Sequence, residues 1–224
     1  TAATAVAAST GWPAFLSRSA AAAQGDTQPG GSAIYLIGQE GAHILPPFSS
    51  FSTVIEPSAP FFSGLTRPSE QREPIPDLAE SWEVSPDGLQ ITFKLRQGVK
   101  WHNKAPLNGR LFDAEDVALT WDRFTKKHAA RTTIANSANP EAPVLSLAAT
   151  DTKTVVMKLK EPLVYAHKFF APYGSYSGNM LMIPREADDG SFDIRRDLIG
   201  HGPLQLESYT PSVGLTRVRN PDYW

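Results

Sequence analysis

The chain has 224 residues, with 21 basic and 23 acidic side chains and a formal net charge of -2 at pH 7. This near balance creates no extended field that would attract nucleic acid or an anionic membrane, so small neutral or zwitterionic partners fit better. The absence of cysteine excludes disulfides, thiolate metal sites, a cysteine nucleophile and a lipid-anchored cysteine within these residues. No run of about 18 apolar residues occurs, so the sequence predicts no membrane-spanning helix.

Residues 1–24 are rich in alanine, serine and threonine and carry one charged side chain, Arg18. Four alanines at residues 20–23 precede a polar stretch, which is typical of the small-residue cleavage region of an export signal. We interpret residues 1–24 as the remnant of such a signal; a disordered alanine-rich tail is the alternative. Residues 25–32 combine glycine with polar residues and predict a flexible leader.

Residues 33–37 form a short apolar run of the kind found in strands that are covered on both faces. We expect this run to be the first strand of the main sheet. Gly38, Gly41, Pro46 and Pro47 then interrupt regular structure and predict an irregular loop over residues 38–48.

A β-hairpin is predicted over residues 81–96. Apolar and polar side chains alternate along residues 89–96, which places Leu89, Ile91, Phe93 and Leu95 on one face of a strand. Trp82 and Val84 alternate with polar residues in the same way just upstream. Residues 85–88 join the two runs, with proline second and glycine last, as in a β-turn.

A capped helix is predicted to follow. Asp113 is a suitable N-cap, and Asp116 in the first turn interacts favourably with the helix dipole. Val117, Trp121 and Phe124 are spaced at i, i+4 and i+7, so one face of this helix should be buried.

Three further elements are predicted towards the end of the chain. Alternation over residues 153–159 predicts a strand that pairs beside the strand of residues 89–96. Residues 165–170 predict a short helix, and residues 204–209 and 215–219 predict a hairpin. Between them, residues 171–178 form a glycine-rich aromatic loop in which Tyr173 and Tyr176 are the aromatic side chains most prone to exposure.

The sequence offers little support for catalysis or metal binding. The five histidines are scattered and form no short pair of the metal-ligand kind: His43, His102, His128, His167 and His201. Tyr176 occupies the central position of a Gly-Ser-Tyr-Ser-Gly run, where a nucleophile elbow would require serine. No phosphate-binding glycine-rich loop is present. We therefore expect neither a metal nor a cofactor.

Two groups of side chains have a structural explanation. Acid–base pairs could be sought among five carboxylates, but their positions suit turns and helix caps better: Glu80, Glu83, Asp87, Glu115 and Asp116. The large aromatic side chains on the apolar faces are expected in the core: Trp82, Phe93, Trp101 and Trp121.

Several linked segments resemble the peptide, dipeptide and nickel-binding family (family 5) of extracytoplasmic solute-binding proteins of ABC importers. The segments are Asp77-Leu78-Ala79-Glu80-Ser81-Trp82, Ser85-Pro86-Asp87-Gly88, Phe93-Lys94-Leu95-Arg96-Gln97-Gly98-Val99-Lys100-Trp101-His102 and Asp113-Ala114-Glu115-Asp116-Val117. Residues 220–224 are another family-like run. The chain departs from the family pattern at Asn103-Lys104, in a lengthened loop at residues 108–111, and at His201, where the family usually has threonine.

The resemblance implies an α/β fold of the periplasmic-binding-protein type II class, in the large cluster with an extra subdomain, with only the first of two lobes present. It implies that residues 33–47 and 185–224 form the main part of this lobe, that residues 48–184 form an inserted subdomain, and that the second lobe lies beyond residue 224. It also implies that the segment after the first strand lines the ligand cleft, so Gln39, Glu40 and His43 are candidate ligand contacts, with Tyr173 and Tyr176 as further candidates.

The function implied by this resemblance is capture of peptides, or a related small solute, between two lobes and delivery to the membrane permease. The protein would be an exported, monomeric binding protein and not an enzyme. The solute could be a peptide, a nickel chelate, an opine or an oligosaccharide. The alternatives of another class are a secreted enzyme, and a sensor or interaction module on the same scaffold.

Overall fold

The computed structural model describes residues 30–36, 58–163, 165–171 and 180–224. The chain divides into two units, residues 1–36 and 37–224. In the first unit, residues 33–36 adopt no strand, and Ile34, Tyr35 and Leu36 are 93%, 68% and 87% exposed. The strand predicted over residues 33–37 is therefore wrong for its four described residues, and Ile37 lies outside the described part. An apolar run becomes a strand only where a neighbouring strand accepts and donates its backbone hydrogen bonds, and none of the described strands or β-bridges includes residues 33–36.

The described residues of the second unit contain three antiparallel sheets. Strands β1 (Thr66–Pro68) and β2 (Pro74–Pro76) form a two-stranded sheet. A four-stranded sheet has the order β3-β4-β6-β5 and consists of β3 (Ala79–Val84), β4 (Gln90–Leu95), β5 (Val144–Asp151) and β6 (Thr154–Leu159). Strands β7 (Leu204–Thr210) and β8 (Gly214–Arg219) form the hairpin predicted near the end of the chain.

Among the described residues, one helix is long and the others are short. Helix α1 spans Ala114–Lys127, and α2 is a single turn, Arg131–Ile134. The 3-10 helices in this part of the chain are Ala59–Phe61, Ala166–Phe170 and Arg185–Asp188. The second of these confirms the short helix predicted over residues 165–170. None of the helices in the described part of the chain is long and apolar enough to cross a membrane.

The hairpin β3–β4 is confirmed, with Trp82 opposite Phe93. Its turn closes with a 2.8 Å hydrogen bond from Gly88 N to the carbonyl oxygen of Ser85, and Gly88 has the positive φ (71°) that glycine tolerates best. Phe93 is fully buried, whereas Val84 is 53% exposed. Because β3 is the edge strand of the sheet, the end of its inward face is left uncovered.

Two residues assigned to the buried face of the hairpin thus need correction. Besides Val84, Leu89 is 38% exposed because it belongs to the turn and precedes the strand, which begins at Gln90. Trp82, expected in the core, is only partly buried and stacks on His167 with a ring-centroid distance of 5.5 Å. The predicted neighbour strand is confirmed: β6 pairs with β4, and Val155 lies opposite Phe93.

Helix α1 begins as the sequence predicts. The side chain of Asp113 accepts hydrogen bonds from Glu115 N (3.0 Å) and Asp116 N (3.4 Å), and Asp113 N donates to the carboxylate of Asp116 (3.3 Å), which completes a capping box. Val117, Trp121 and Phe124 are buried. The helix packs against β5 and β6 and covers the apolar face of the four-stranded sheet.

The apolar core is continuous across residue 184, the predicted end of the inserted subdomain. Phe61, Phe93 and Met157 belong to the same buried cluster as Leu198 and Ile199. The domain boundaries predicted from the sequence stay predictions.

Candidate functional site

The predicted ligand contacts all lie outside the described residues. This applies to Gln39, Glu40, His43, Tyr173 and Tyr176. These residues belong to two segments, residues 37–57 and residues 172–179. The structure does describe the chain that borders these two segments.

The chain that follows the first segment packs on the chain that borders the second. Met182 N donates a 2.9 Å hydrogen bond to the carbonyl oxygen of Ser63. The hydroxyl of Thr66 donates to the carbonyl oxygen of His167 (3.3 Å), on the other side of the second segment. Phe170 and Leu181 on either side are buried in the core. The chain that follows residue 57 therefore packs on the chain on both sides of residues 172–179.

Two glycines allow residues 200–202 to lie against Pro60 and Phe61, in the chain that follows residues 37–57. We call this packing of residues 60–66, 180–182 and 200–202 the anchor. The carbonyl oxygen of Phe61 accepts 2.9 Å hydrogen bonds from both His201 N and Gly202 N. A Cβ atom placed on Gly200 would lie 1.8 Å from this oxygen, and one on Gly202 would lie 2.3 Å from the carbonyl oxygen of Pro60. Because these distances are far below van der Waals contact, only glycine permits the approach at either position.

Two buried histidines complete the anchor. His102 accepts a hydrogen bond from Gly200 N at Nδ1 (3.0 Å) and donates from Nε2 to the carbonyl oxygen of Gly202 (3.1 Å). His201 accepts at Nε2 from Ser63 N (3.0 Å), and its ring meets the Trp101 ring edge-on at 4.7 Å. Burial lowers the pKa of His102 to about 4 and the pKa of His201 to about 3, so both rings are neutral at pH 7.

The position at which this chain departs from the family pattern, His201, is therefore a packing and hydrogen-bonding residue. Its Nδ1 atom is buried without a hydrogen-bond partner in the described part of the chain. Sequence reasoning identified the departure but contained no signal for the contact with Ser63, which is 138 residues away.

A charge cluster lies at the start of helix α1. Arg110 donates to both oxygens of Asp116 (2.8 and 2.9 Å) and to both oxygens of Glu186 (2.7 and 2.8 Å). Asp116 also accepts from Trp101 Nε1 (3.2 Å) and Arg185 N (3.2 Å). Burial raises the pKa of Asp116, and the neighbouring Arg110 guanidinium limits this rise. For Glu186, burial also favours a higher pKa, but the same guanidinium outweighs it and lowers the pKa below its usual value. The cluster joins residues 110–116 to residues 185–186.

Two side chains of helix α1 also bind the backbone of residues 183–185. The guanidinium of Arg123, which is buried, donates to the carbonyl oxygens of Pro184 (2.9 Å) and Arg185 (3.1 Å). The hydroxyl of Thr120 donates to the carbonyl oxygen of Ile183 (3.2 Å). These polar side chains lie among the apolar residues of the buried helix face, a pattern that could have indicated buried backbone partners.

The carboxylates considered as acid–base pairs have structural roles or lie exposed. Asp87 accepts hydrogen bonds from the Ser85 hydroxyl (2.6 Å) and Leu89 N (3.0 Å) in the turn, while Glu80 and Glu83 are exposed on β3. Within residues 30–36, 58–163, 165–171 and 180–224, no three histidine or acidic side chains are grouped so that they could hold a metal ion.

Comparison with known proteins identifies relatives along most of the chain. A family model described as bacterial extracellular solute-binding proteins, family 5 Middle, matches residues 73–224. Di/tripeptide-binding protein 2 of Pseudomonas aeruginosa (strain UCBPP-PA14) is 33% identical over 164 residues, which cover 67% of this chain and 30% of that protein. The chain thus spans under a third of the length of this relative.

Solved structures agree on the fold. The periplasmic binding protein DppA from Helicobacter pylori, in complex with the peptide STSA, has a TM-score of 0.68 at 22% identity and covers 83% of this chain and 38% of its own. NikZ from Campylobacter jejuni, in complex with Ni(L-His), has a TM-score of 0.65 at 24% identity and covers 83% of this chain and 35% of its own. These similarities confirm the predicted α/β periplasmic-binding-protein fold, of which this chain spans one part.

Proposed function

Because the chain belongs to family 5 of the bacterial extracellular solute-binding proteins, we propose that it is part of the solute-capturing component of an ABC importer. The component binds peptides between two lobes and delivers them to the membrane permease. The observation that carries this proposal is the family match over residues 73–224, together with a relative that is named a di/tripeptide-binding protein. Export to the periplasm or the outer face of the cell membrane, removal of an export signal and action as a monomer without a cofactor are parts of the same proposal.

The two segments predicted to line the cleft would contribute Gln39, Glu40 and His43 from one side and Tyr173 and Tyr176 from the other. Support comes from the contact between their borders, where Met182 N bonds to the carbonyl oxygen of Ser63. An extended peptide backbone offers hydrogen-bonding groups that polar side chains and main-chain groups of such loops can meet, while roomy pockets accept varied side chains. Closure of the second lobe would then bury the ligand.

The test is thermal denaturation of the full-length mature protein with a panel of ligands. The panel contains di- and tripeptides, longer peptides, a nickel–histidine chelate and oligosaccharides. A ligand that binds only the native state adds about 2.7 kcal/mol at 100 times its dissociation constant, which gives a clear shift. We expect the shift with di- and tripeptides. Absence of any shift across the panel, or turnover of one of its members, would refute the proposal.

The cleft residues are tested with matched variants. Glu40→Gln and Tyr173→Phe should weaken peptide binding about tenfold or more, because each removes a polar contact to the ligand, and should leave the melting temperature of the unliganded protein unchanged. Glu83→Gln is the control, since Glu83 is exposed on the edge strand β3. A loss of affinity equal in the control, or a loss of folding in the cleft variants, would contradict the assignment.

A further inference from the structure

A groove of about 600 Å³ lies beside the β7–β8 hairpin. It is lined by Pro203, Leu204, Arg219, Asn220, Pro221 and Tyr223. Its volume falls within the range of small-molecule sites, about 300–1,000 Å³. The lining comes from the start of β7, the end of β8 and the residues that follow β8, so the groove is built by one local part of the chain.

The base of the groove is held rigidly. Asn220 is buried and donates from its side chain to the carbonyl oxygen of Gly202 (2.9 Å). Its side-chain oxygen accepts from Gln205 (2.9 Å) and from Asp222 N (3.1 Å), and Asn220 N donates to the carbonyl oxygen of Pro203 (2.8 Å). The side-chain amide and the backbone N–H of Asn220 are therefore engaged within the protein, and the side chain positions the walls.

Arg219 supplies the groove with a cation. Its side chain is exposed and makes no hydrogen bond or ion pair with any residue in the described part of the chain. Neighbouring arginines differ, since Arg96 lies over the Trp224 ring (4.8 Å) and Arg217 over the Phe61 ring (5.8 Å). Asp222, the nearest acid in sequence, pairs with Lys100 at 3.6 Å. The positive charge of Arg219 is therefore not neutralised by an ion pair with any described residue.

Tyr223 lines the same groove and carries a hydroxyl. The side chain is 45% exposed, and its ring packs against the Trp224 ring at a centroid distance of 5.3 Å. The other walls, Pro203, Leu204 and Pro221, are apolar. A groove with one free guanidinium, one phenolic hydroxyl and apolar walls complements a molecule that has one anionic end and an apolar body.

We propose that this groove is a second binding site, for a small carboxylate-bearing molecule with an apolar body. The guanidinium of Arg219 pairs with the carboxylate, which fits its planar fork of donors better than any neutral group. Tyr223 donates a further hydrogen bond, and the apolar body contacts Pro203, Leu204 and Pro221. The proposal does not rest on the proposed function, because the described residues that line the groove lie outside residues 37–57 and 172–179.

The experiment uses isothermal titration calorimetry on the full-length protein with two probes, N-acetyl-leucine and N-acetyl-leucinamide. The probes differ only in the carboxylate. We expect N-acetyl-leucine to bind with a dissociation constant on the order of 1 mM. The amide should bind at least about tenfold more weakly, because a hydrogen bond to a charged group is lost. Equal affinity for both probes, or no binding of either up to about 10 mM, would overturn the proposal.

Variants assign the binding to this groove. Arg219→Gln should weaken N-acetyl-leucine binding about tenfold or more, and Tyr223→Phe should weaken it less. Arg196→Gln is the matched control, because Arg196 is exposed and does not line the groove, and it should change the affinity by less than about twofold. If Arg219→Gln, folded as judged by its melting temperature, binds N-acetyl-leucine as the parent does, the site is elsewhere and the proposal fails. Peptide-induced thermal shifts should be the same in all three variants, so failure here leaves the proposed function untouched.

Discussion

Replacing Gly200 with alanine should destabilise the protein by about 4 kcal/mol, because the new methyl group would collide with backbone. The Cβ atom would lie 1.8 Å from the carbonyl oxygen of Phe61, where ordinary contact begins near 3.4 Å. The two segments would have to separate by about 1.5 Å. Phe61 belongs to a turn packed in the core, so no flexible side-chain end can yield.

A displacement of residues 200–202 by this distance disrupts the hydrogen bonds that they make with Phe61 on one side and with His102 on the other. Four are at stake: His201 N and Gly202 N to the Phe61 oxygen (2.9 Å each), His102 N to the Gly200 oxygen (2.7 Å), and Gly200 N to His102 Nδ1 (3.0 Å). At about 1 kcal/mol for each bond, the loss is about 4 kcal/mol, a large part of the 5–15 kcal/mol that stabilises a typical domain.

Urea denaturation of the purified protein measures this loss. With slopes of about 1–3 kcal/mol per molar urea, the midpoint should fall by at least about 1 M. Gly214→Ala is the control, because nothing lies within 4 Å of a Cβ atom at Gly214 and its φ is not positive; the change should stay within about 0.5 kcal/mol. A Gly200→Ala protein within about 1 kcal/mol of the parent would show that residues 200–202 do not approach Phe61 as described.

Three further predictions concern stability. Phe93→Ala should cost about 3–5 kcal/mol and Trp82→Ala about 1–2 kcal/mol in urea denaturation, because Phe93 is fully buried and Trp82 is not; equal losses would contradict the edge position of β3. Burial raises the pKa of Asp77 to about 6, above its unfolded value of 3.8, so protonated Asp77 favours folding and this contribution to stability is lost as the pH rises through 6. Asp77→Asn should therefore stabilise the protein by about 1–3 kcal/mol at pH 7 and much less at pH 4. An equal effect at both pH values would exclude the shift. The folded-state pKa values of His102 and His201, about 4 and about 3, lie below the unfolded value of 6.5. The stability that these neutral histidines contribute is therefore present above pH 6.5 and is lost as the pH falls towards 4. In the Asp77→Asn background the urea midpoint should drop over that interval, and a constant midpoint would refute the prediction.

Local patterns predicted the elements whose signals are periodic. Alternation identified β4 and β6, and the spacing of Val117, Trp121 and Phe124 identified the buried face of α1. The cap at Asp113 was also predictable, because capping depends on residues within one turn of each other. These features rest on interactions between residues close in sequence, which a single sequence displays directly.

Patterns failed where burial depends on a neighbouring element. Residues 33–36 are as apolar as a buried strand, but they are exposed and belong to none of the described strands. Val84 has the right alternation but lies at the end of an edge strand, so nothing covers it. Alternation specifies which face a side chain shares, and the presence of a partner decides whether that face is buried.

The contacts that form the anchor could not be predicted from the sequence for the same reason, because they join residues far apart in the chain. Family resemblance pointed to Gln39, Glu40, His43, Tyr173 and Tyr176, and their role in binding stays a prediction. Arg110 lies in a loop that departs from the family pattern, and nothing near it in sequence predicts a bond to Glu186, 76 residues later.

The amino-acid sequence by itself determined the hairpin, the capped helix and the family, because each depends on short-range periodicity or on linked motifs. Only the tertiary structure decided that Gly200 and Gly202 must be glycine, that His102 and His201 are neutral, and that Arg110 joins the start of α1 to residues 185–186. The physical reason is that close approach, desolvation and charge pairing depend on distances between atoms that the chain brings together only when it folds.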